Sequence, residues 1–168
     1  MTEEVKRNYL EIKSLQDLKE GDKPSNDYFI SLVRPINFQL NKFFYKSIGK
    51  KHKWIDRLAW SEEKWINYLS SKNVNTYVLK HKNDLVGFFE LILHQENKEI
   101  EIAYFGILEE YQNKKLGSYL LSEAIRESLH RDSIERVWLH TCSLDHKNAL
   151  NNYLARGMKI FKREVVNI

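Results

Sequence analysis

The chain has 168 residues and a formal net charge of +4, with 27 lysines and arginines against 23 aspartates and glutamates. This length is typical of one domain, which can bury a sizeable core without a metal ion or disulfide bonds. The weak positive charge favours anionic partners slightly, but it is too small to indicate a dedicated nucleic-acid-binding protein.

Cysteine content and apolar patterning set further limits. Cys142 is the single cysteine, so the chain cannot form an internal disulfide, which agrees with a reducing, cytoplasmic setting. No apolar run approaches the roughly 18 residues that span a bilayer, and residues 1–8 are too charged for a secretory signal peptide. We therefore expect a cytoplasmic single domain over residues 1–168, with neither nucleic acid nor membrane as a partner. The sequence leaves open whether the chain is a monomer or a homodimer.

The first part of the chain is predicted to contain one strand and two helices. Residues 9–13 alternate between apolar and polar as a short strand would, and residues 27–47 and 61–71 are predicted helices. The sequence Ser-Glu-Glu at residues 61–63 places a cap and two acids at the start of the second helix.

The remainder of the chain alternates strands with helices. A hairpin is predicted from residues 76–81 and 85–94, across the polar turn between them. The elements predicted after it are a strand over residues 99–107, an amphipathic helix from Leu116, a strand over 135–142, a helix from about Ala149 that Asp145 caps and Gly157 ends, and a strand over 158–166. This order, β-α-α-β-β-β-α-β-α-β, predicts an α/β (α+β) fold in which helices flank a mixed central sheet.

The segment Gln112-Asn113-Lys114-Lys115-Leu116-Gly117-Ser118 is the first candidate site. It joins a predicted strand to a helix N-terminus, where unpaired backbone N–H groups and the positive end of the helix dipole favour a phosphate. Lys114 and Lys115 add positive charge, and Gly117 lets a phosphate approach the backbone closely. The phosphate-loop and dinucleotide-binding glycine motifs are both missing. On these residues alone, the segment is either a phosphate site or an ordinary strand–helix turn.

Two segments resemble the GNAT superfamily of acetyl-CoA-dependent N-acetyltransferases. Gln112 and Gly117 match the family's acetyl-CoA loop, Gln/Arg-x-x-Gly-x-Gly/Ala, with Lys115 where the family usually has its middle glycine. The second segment, Ala149, Tyr153 and Gly157, matches Ala-x-x-x-Tyr-x-x-x-Gly on the family's last helix, with His146 where the family usually has asparagine. The resemblance covers residues 101–157, and the predicted order of strands extends it over most of the chain.

The resemblance implies an N-acetyltransferase that moves an acetyl group directly from acetyl-CoA to a primary amine of a small molecule or peptide. It also implies that acetyl-CoA lies beside the strand over residues 99–107, with its diphosphate on residues 112–118. The residues expected to bind acetyl-CoA are Phe105, Gly106, Ile107, Gln112, Asn113, Lys114, Lys115, Leu116, Gly117, Ser118, His146 and Ala149.

Acetyl transfer to an amine benefits from a base, because a lysine-like amine is mostly protonated near pH 7. The resemblance gives this role to Glu101. Strand alternation places Glu101 on one face with Glu99, Ala103, Phe105 and Ile107.

Glu90 is the alternative base, because it interrupts an otherwise apolar strand and must be paired, exposed or functional. The resemblance makes Tyr153 the acid that protonates the departing sulfur, although helical spacing alone favours a core tyrosine. It makes a backbone N–H of Phe105 or Ile107 the donor to the oxyanion.

The resemblance implies that Trp54 and Trp60 border the acceptor amine. His140 either borders it as well or is a structural histidine. The tryptophans can form aromatic walls that attract a cation, or they can be ordinary core residues. The segment 140–146 contains two histidines, a cysteine and an aspartate, but no second ligand cluster accompanies it, so we expect no metal site. Two other functions of the same fold remain open: an acyl-CoA-binding regulatory module without turnover, suggested by Lys115, and a protein acetyltransferase acting on N-termini or lysines.

Overall fold

The computed structural model describes residues 3–146 and 148–167 and places them in a mixed seven-stranded sheet with four α-helices. The strands are β1 Glu4–Ile12, β2 Tyr28–Leu32, β3 Val74–His81, β4 Asp84–His94, β5 Glu99–Ile107, β6 Arg136–Cys142 and β7 Lys159–Asn167. The helices are α1 Phe38–Gly49, α2 Glu62–Leu69, α3 Leu116–Leu129 and α4 Ala149–Ala155. The predicted α/β fold with a mixed sheet is confirmed.

The strand order across the sheet is β2-β3-β4-β5-β6-β1-β7. The described neighbours pair antiparallel, apart from the parallel pair β5–β6. In the described chain, β5 and β6 pair only from Glu99 with Arg136 to Glu101 with Trp138. Beyond Glu101 the two strands separate, and a notch opens in the middle of the sheet.

The prediction of one helix over residues 27–47 is wrong, because this stretch contains β2 and then α1. The Arg34–Pro35 peptide, which is cis, lies between them. Pro35 has no backbone N–H and would break a helix interior, so the helix begins only at Phe38. The alternation of part-buried Tyr28 and Ile30 with exposed neighbours is the strand signal that the helical interpretation missed.

A bulge interrupts β5 in front of the notch. Glu90 of β4 pairs with Tyr104, whereas the next residue, Leu91, pairs with Ile102. Ala103 is therefore the extra residue of β5, and the strand bends at this point.

The bulge changes which β5 side chains share a face of the sheet. Phe105 and Ile107 pack into the core beneath α3, whereas Tyr104 packs against α1 and α2. Glu101, ahead of the bulge, lies on the Tyr104 face. The prediction that Glu101 shares a face with Phe105 and Ile107 is wrong, because a strict two-residue alternation does not continue through a bulge.

The two faces of the sheet are covered differently. Helices α3 and α4 pack on one face over the main core, which includes Leu10, Phe89, Ile100, Leu120, Leu121, Ile125 and Val137. Helices α1 and α2 cover the β3–β5 part of the other face, where Phe44 stacks on Phe88 with ring centroids 4.8 Å apart. The notch lies where neither pair of helices covers the sheet completely. Among the described residues, no helix is long and apolar enough to cross a membrane.

The helix ends confirm two of the three predicted caps. The Ser61 hydroxyl accepts a hydrogen bond from the Lys64 N–H at 3.1 Å, and Gly157 follows α4 with φ +101°. Asp145 was predicted to cap α4, which is wrong because Asn148 occupies that position. The Asp145 carboxylate instead accepts hydrogen bonds from the Cys142 N–H at 3.0 Å and from the Thr141 hydroxyl.

Candidate active site

The notch between β5 and β6 opens into a cavity of about 960 Å³. This volume lies at the upper end of the range of small-molecule and cofactor sites. On one face of the sheet the cavity meets the N-termini of α3 and α4. On the other face it extends under the loop over residues 50–57 and reaches β1. The predicted site residues on the cavity wall are Trp54, Glu101, Phe105, Gly106, Ile107, Gln112, Asn113, Lys115, Leu116, Gly117, Ser118, His140, His146, Ala149 and Tyr153.

The N-terminus of α3 has free hydrogen-bond donors at the cavity wall. Lys115 is the N-cap residue, and its side chain forms no capping hydrogen bond. Within residues 3–146 and 148–167, the backbone N–H groups of residues 113–117 donate to no loop or side-chain acceptor. In contrast, side chains of Asn37 and Ser61 cap α1 and α2. The α3 terminus therefore presents uncompensated donors and the positive end of a helix dipole, which together favour an anion.

Lys115 adopts the left-handed conformation, with φ 61° and ψ 15°. Asn113 also has a positive φ of 66°. This conformation costs an L-residue about 1–2 kcal/mol, although asparagine tolerates it better than lysine does. Lys115 therefore takes the backbone conformation expected of a glycine there, and left-handed residues of this kind occur in the backbone nests that bind anions.

Gly117 leaves open space at the first turn of α3. Among the described residues, a Cβ added to Gly117 would meet no atom closer than Asn152 Nδ2, at 3.8 Å. By comparison, a Cβ added to Gly106 would lie 2.7 Å from Ile48, so packing alone requires that glycine. Packing does not require a glycine at 117, and the space beside it belongs to the cavity. The loop and Gly117 thus fit a bound diphosphate.

Tyr153 of α4 lies at the cavity wall with only 8% of its surface exposed. Its ring packs edge-on against Phe105, with centroids 6.4 Å apart. Burial raises the pKa of the Tyr153 hydroxyl, and the nearby Asp145 raises it further. The hydroxyl has no hydrogen-bond partner in the part of the chain that the structure describes. Tyr153 therefore presents a protonated hydroxyl that can donate to a bound group.

Glu101 lies where β5 and β6 begin to separate. Its Oε1 is 3.0 Å from His94 Nε2, and the His94 ring stacks on Trp138 with centroids 5.9 Å apart. Glu101 lies on the Tyr104 face of the sheet, opposite to the face on which Tyr153 packs. A candidate base and a candidate acid therefore reach the notch from opposite sides.

Glu90 does not line the cavity and is 1% exposed. Its carboxylate accepts hydrogen bonds from Arg57 at 2.9 Å and 3.1 Å, and another from the Tyr68 hydroxyl. The hypothesis that Glu90 is a base therefore gains no support, because its carboxylate is paired with a buried arginine and does not reach the cavity.

Two other predicted residues lie outside the cavity wall. Trp60 packs over the Arg57 guanidinium, whose carbon is 4.7 Å from the ring centroid, so Trp60 does not contact an acceptor in this arrangement. Lys114 turns towards Tyr111, with its Nζ 5.5 Å from that ring, and the N–H groups of its neighbours line the cavity instead. Both side chains have local partners that the sequence pattern did not identify.

The histidines around the cavity differ in their surroundings. Burial lowers the pKa of His140, and Arg7 lowers it further, so this ring is neutral near pH 7. His52 Nδ1 is 3.0 Å from the Leu144 carbonyl oxygen, and His146 Nδ1 accepts a hydrogen bond from the Asn148 N–H at 3.1 Å. Within the described ranges, no cluster of three or more His, Cys, Asp or Glu side chains is arranged to hold a metal ion.

The sequence analysis missed cavity residues that come from distant parts of the chain. Arg7 and Val5 enter the wall because β1 lies between β6 and β7, and His52 and Asp56 enter from the loop after α1. Nothing in the local pattern around β1 indicates its position in the sheet. The polar loop before α2 was the one feature of the sequence that could have indicated these cavity residues.

The sequence matches the profile of the Acetyltransferase (GNAT) family over residues 38–158. Because this match covers well over half of the chain, the protein belongs to the GNAT acetyltransferase family. Members of this family use acetyl-CoA as cosubstrate. Among curated proteins, no sequence gives a significant match.

Solved structures of low sequence identity have the same fold. A GCN5-related N-acetyltransferase from Sphaerobacter thermophilus superimposes with a TM-score of 0.72 and 16% identity, over 99% of this chain and 52% of that one. A functionally unknown conserved protein from Staphylococcus epidermidis gives 0.67 and 19%, over 98% and 61% of the two chains. An aminoglycoside acetyltransferase from an uncultured soil metagenomic sample gives 0.64 and 14%, over 78% and 88%. The present chain thus spans between half and two thirds of the first two proteins.

Proposed function

We propose that the protein transfers an acetyl group from acetyl-CoA to a primary amine within the notch between β5 and β6. The observation that supports this most strongly is the uncapped N-terminus of α3, whose free N–H groups and open Gly117 line the cavity. A diphosphate needs this combination of convergent donors and close backbone approach.

The chain's own residues suggest how the donor is held. Residues 112–118 bind the diphosphate, and the edge of β5 that faces away from β4 offers backbone groups of Phe105 and Ile107 to the pantetheine arm. These groups are available because β6 has separated from β5 by this point. Bound acetyl-CoA supplies an activated thioester, and an N–H on this edge stabilises the developing oxyanion.

Glu101 and Tyr153 transfer the protons. Glu101 takes one proton from the incoming ammonium group, and the neutral nitrogen then forms the new N–C bond as the C–S bond breaks. Tyr153 gives its proton to the sulfur, which leaves as a thiol with the bonding electron pair. The second ammonium proton returns through solvent to the Tyr153 oxygen. Because the two side chains lie on opposite faces of the sheet, the acceptor and the leaving thiol do not compete for space.

A regulatory module without turnover gains no support from the site. That alternative was suggested by Lys115 in place of glycine. However, Lys115 adopts the left-handed backbone conformation that a glycine would take. Tyr153 and Glu101 also both line the cavity, although a pure sensor needs neither.

The direct test is a thiol-release assay with acetyl-CoA and a panel of primary amines, amino acids and peptides. We expect release of coenzyme A that depends on the acceptor, together with an acetylated product of matching mass. Acetyl-CoA binding without transfer to any acceptor in the panel would contradict the proposal and would favour the regulatory module.

A further inference from the structure

The acceptor side of the cavity is bounded on both sides. The loop over residues 50–57 leaves the α1–α2 layer and crosses towards the β6–β1–β7 part of the sheet. His52 Nδ1 lies 3.0 Å from the Leu144 carbonyl oxygen, beyond the end of β6. Lys53 forms an ion pair with Glu3, just before β1. The loop therefore bridges the notch and covers the space in front of Glu101, which limits the size of an acceptor that can enter.

Arg7 places a positive charge beside this space, and the neighbouring carboxylate neutralises that charge only weakly. Among the residues that the structure describes, its ion pair is with Glu164 at an N–O distance of 3.5 Å, and Glu164 already accepts a hydrogen bond from the Tyr9 hydroxyl at 2.6 Å. The buried Arg7 Nε has no hydrogen-bond partner among the described residues. Arg7 also lies on the cavity wall. An arginine at a cavity wall, with 29% of its side chain exposed and only a long ion pair among the described residues, is suited to a planar carboxylate.

Two other arginines of the chain have guanidinium groups whose hydrogen bonds to carboxylates are short. Arg57 holds Glu90 at 2.9 Å and 3.1 Å, and Arg136 holds Glu99 at 2.6 Å and Glu11 at 2.9 Å. Both guanidinium groups therefore bind carboxylates through short bonds. Arg7 is thus engaged more weakly than Arg57 and Arg136. Arg156 Nε is also buried without a partner among the described residues, but Arg156 does not line the cavity.

The opposite charge lies across the same space. Glu101 occupies the point where β5 and β6 separate, with 17% of its side chain exposed. Asp56 lines the cavity from the bridging loop and has no ion pair among the residues that the structure covers. Trp54 and Tyr104 line the same cavity as these acids, with ring centroids 4.9 Å apart, and provide aromatic faces. An ammonium group is favoured here, both by the carboxylates and by the rings.

We infer that the acceptor is a small amino carboxylate, whose carboxylate binds Arg7 and whose amine is directed to Glu101. This inference rests on the proposed function and adds the chemical class of the acceptor to it. The bridging loop favours a free amino acid or a compound of similar size over a protein chain. Arg7 accounts for recognition of the acid group, and neutral His140, its neighbour across β1 and β6, does not compete with Arg7 for the carboxylate.

The test compares free amino acids with their carboxamides, which lack the charge that Arg7 would bind. Because the carboxamide group also lowers the pKa of the amine, kcat/KM is expressed per neutral amine for both substrates. In the wild-type protein, kcat/KM measured by thiol release should be at least tenfold higher for the acids. Arg7→Gln should reduce kcat/KM for the acids to the level of the carboxamides and leave the carboxamides unchanged. Arg7→Lys should retain part of the preference. Arg163→Gln, which removes an exposed cation of β7 outside the cavity wall, is the matched control and should change neither.

Titration of each variant with acetyl-CoA checks that the fold and the donor site are intact. Equal kcat/KM for acids and carboxamides, a preference that survives Arg7→Gln, or transfer confined to long peptides would each overturn the acceptor assignment while leaving the proposed function standing. Failure to transfer acetyl to any amine would overturn the proposed function itself, and the acceptor assignment with it.

Discussion

Arg57 donates two hydrogen bonds to the carboxylate of Glu90, at 2.9 Å and 3.1 Å, inside a cluster of aromatic rings beside the cavity. The guanidinium carbon is 4.3 Å from the Tyr104 ring centroid and 4.4 Å from that of Tyr68. Arg57 belongs to the loop before α2, and Glu90 to β4. Their ion pair therefore fixes the end of the loop that covers the acceptor space.

Removing one partner of this buried pair should destabilise the fold strongly. Glu90→Gln leaves the Arg57 charge without a counter-ion in a buried position, which typically costs about 3–5 kcal/mol. Chemical denaturation measures the free energy of unfolding directly. Glu96→Gln, at an exposed position, is the control and should change it by less than about 0.5 kcal/mol. Equal stability of the two variants would show that the pair contributes little.

Tyr153→Phe should lower turnover by about 10²-fold and leave acetyl-CoA affinity nearly unchanged, because it removes a proton donor but keeps the ring against Phe105. Burial raises the pKa of Tyr153, so the hydroxyl stays protonated at alkaline pH. The wild-type rate should therefore not fall between pH 8 and 10 through loss of this proton. Steady-state kinetics across this pH range provide the measurement, and unchanged turnover in the variant would remove Tyr153 from the acid role.

Glu101→Gln should lower kcat/KM at pH 7 by about 10²-fold or more. The loss should shrink as pH rises, because the neutral fraction of an amine with pKa ~10.4 grows about tenfold per pH unit and a base becomes less necessary. Glu99→Gln is the matched control: this neighbour on β5 pairs with Arg136 and is not on the cavity wall. A defect of the same size at pH 7 and pH 9 would argue against Glu101 as the base.

Gly117→Ala should raise the stability of the fold and weaken the binding of acetyl-CoA. Alanine is favoured over glycine within a helix by roughly 1 kcal/mol, and the added Cβ meets no protein atom closer than 3.8 Å, so the melting temperature should rise by a few degrees. The same methyl group enters the space assigned to the diphosphate, so acetyl-CoA affinity should fall at least about tenfold. Calorimetry and titration measure the two effects. A variant that gains stability and binds acetyl-CoA normally would place the diphosphate elsewhere.

Lys115→Gly should stabilise the protein by about 1 kcal/mol, because glycine adopts the left-handed conformation without a steric penalty. Lys115→Ala is the control, since it removes the same charge but keeps the strain. The Lys115–Asp22 pair, at 3.6 Å, is highly exposed and contributes little in either variant. Thermal unfolding should rank the glycine variant above the wild type and the alanine variant. Equal melting temperatures for the two variants would show that the conformation is not strained.

The candidate site could be predicted from the sequence where its residues are local. Gln112 and Gly117 lie on one loop, and Tyr153 belongs to a short helical pattern, so spacing and family resemblance were enough to find them. Most of the strands were also predicted, since their alternation is a local property. The start of α3 at Leu116 and the Ser61 cap were predicted for the same reason.

What could not be predicted depends on contacts between distant segments. The position of Arg7 follows from the insertion of β1 between β6 and β7, which no local pattern encodes. The bulge at Ala103 arises from the register between β4 and β5, so strand alternation gave the wrong face for Glu101. The ion pair of Glu90 with Arg57 is likewise a contact between distant segments, which is why the sequence left Glu90 as a candidate base.

The most direct test of the central claim is an NMR titration of the ¹⁵N-labelled protein with coenzyme A, followed at individual backbone amides. If the N-terminus of α3 binds the diphosphate, the largest saturable shifts should occur at the amides of residues 113–118. Shifts that fail to saturate, or that concentrate elsewhere while these amides stay unchanged, would contradict the claim.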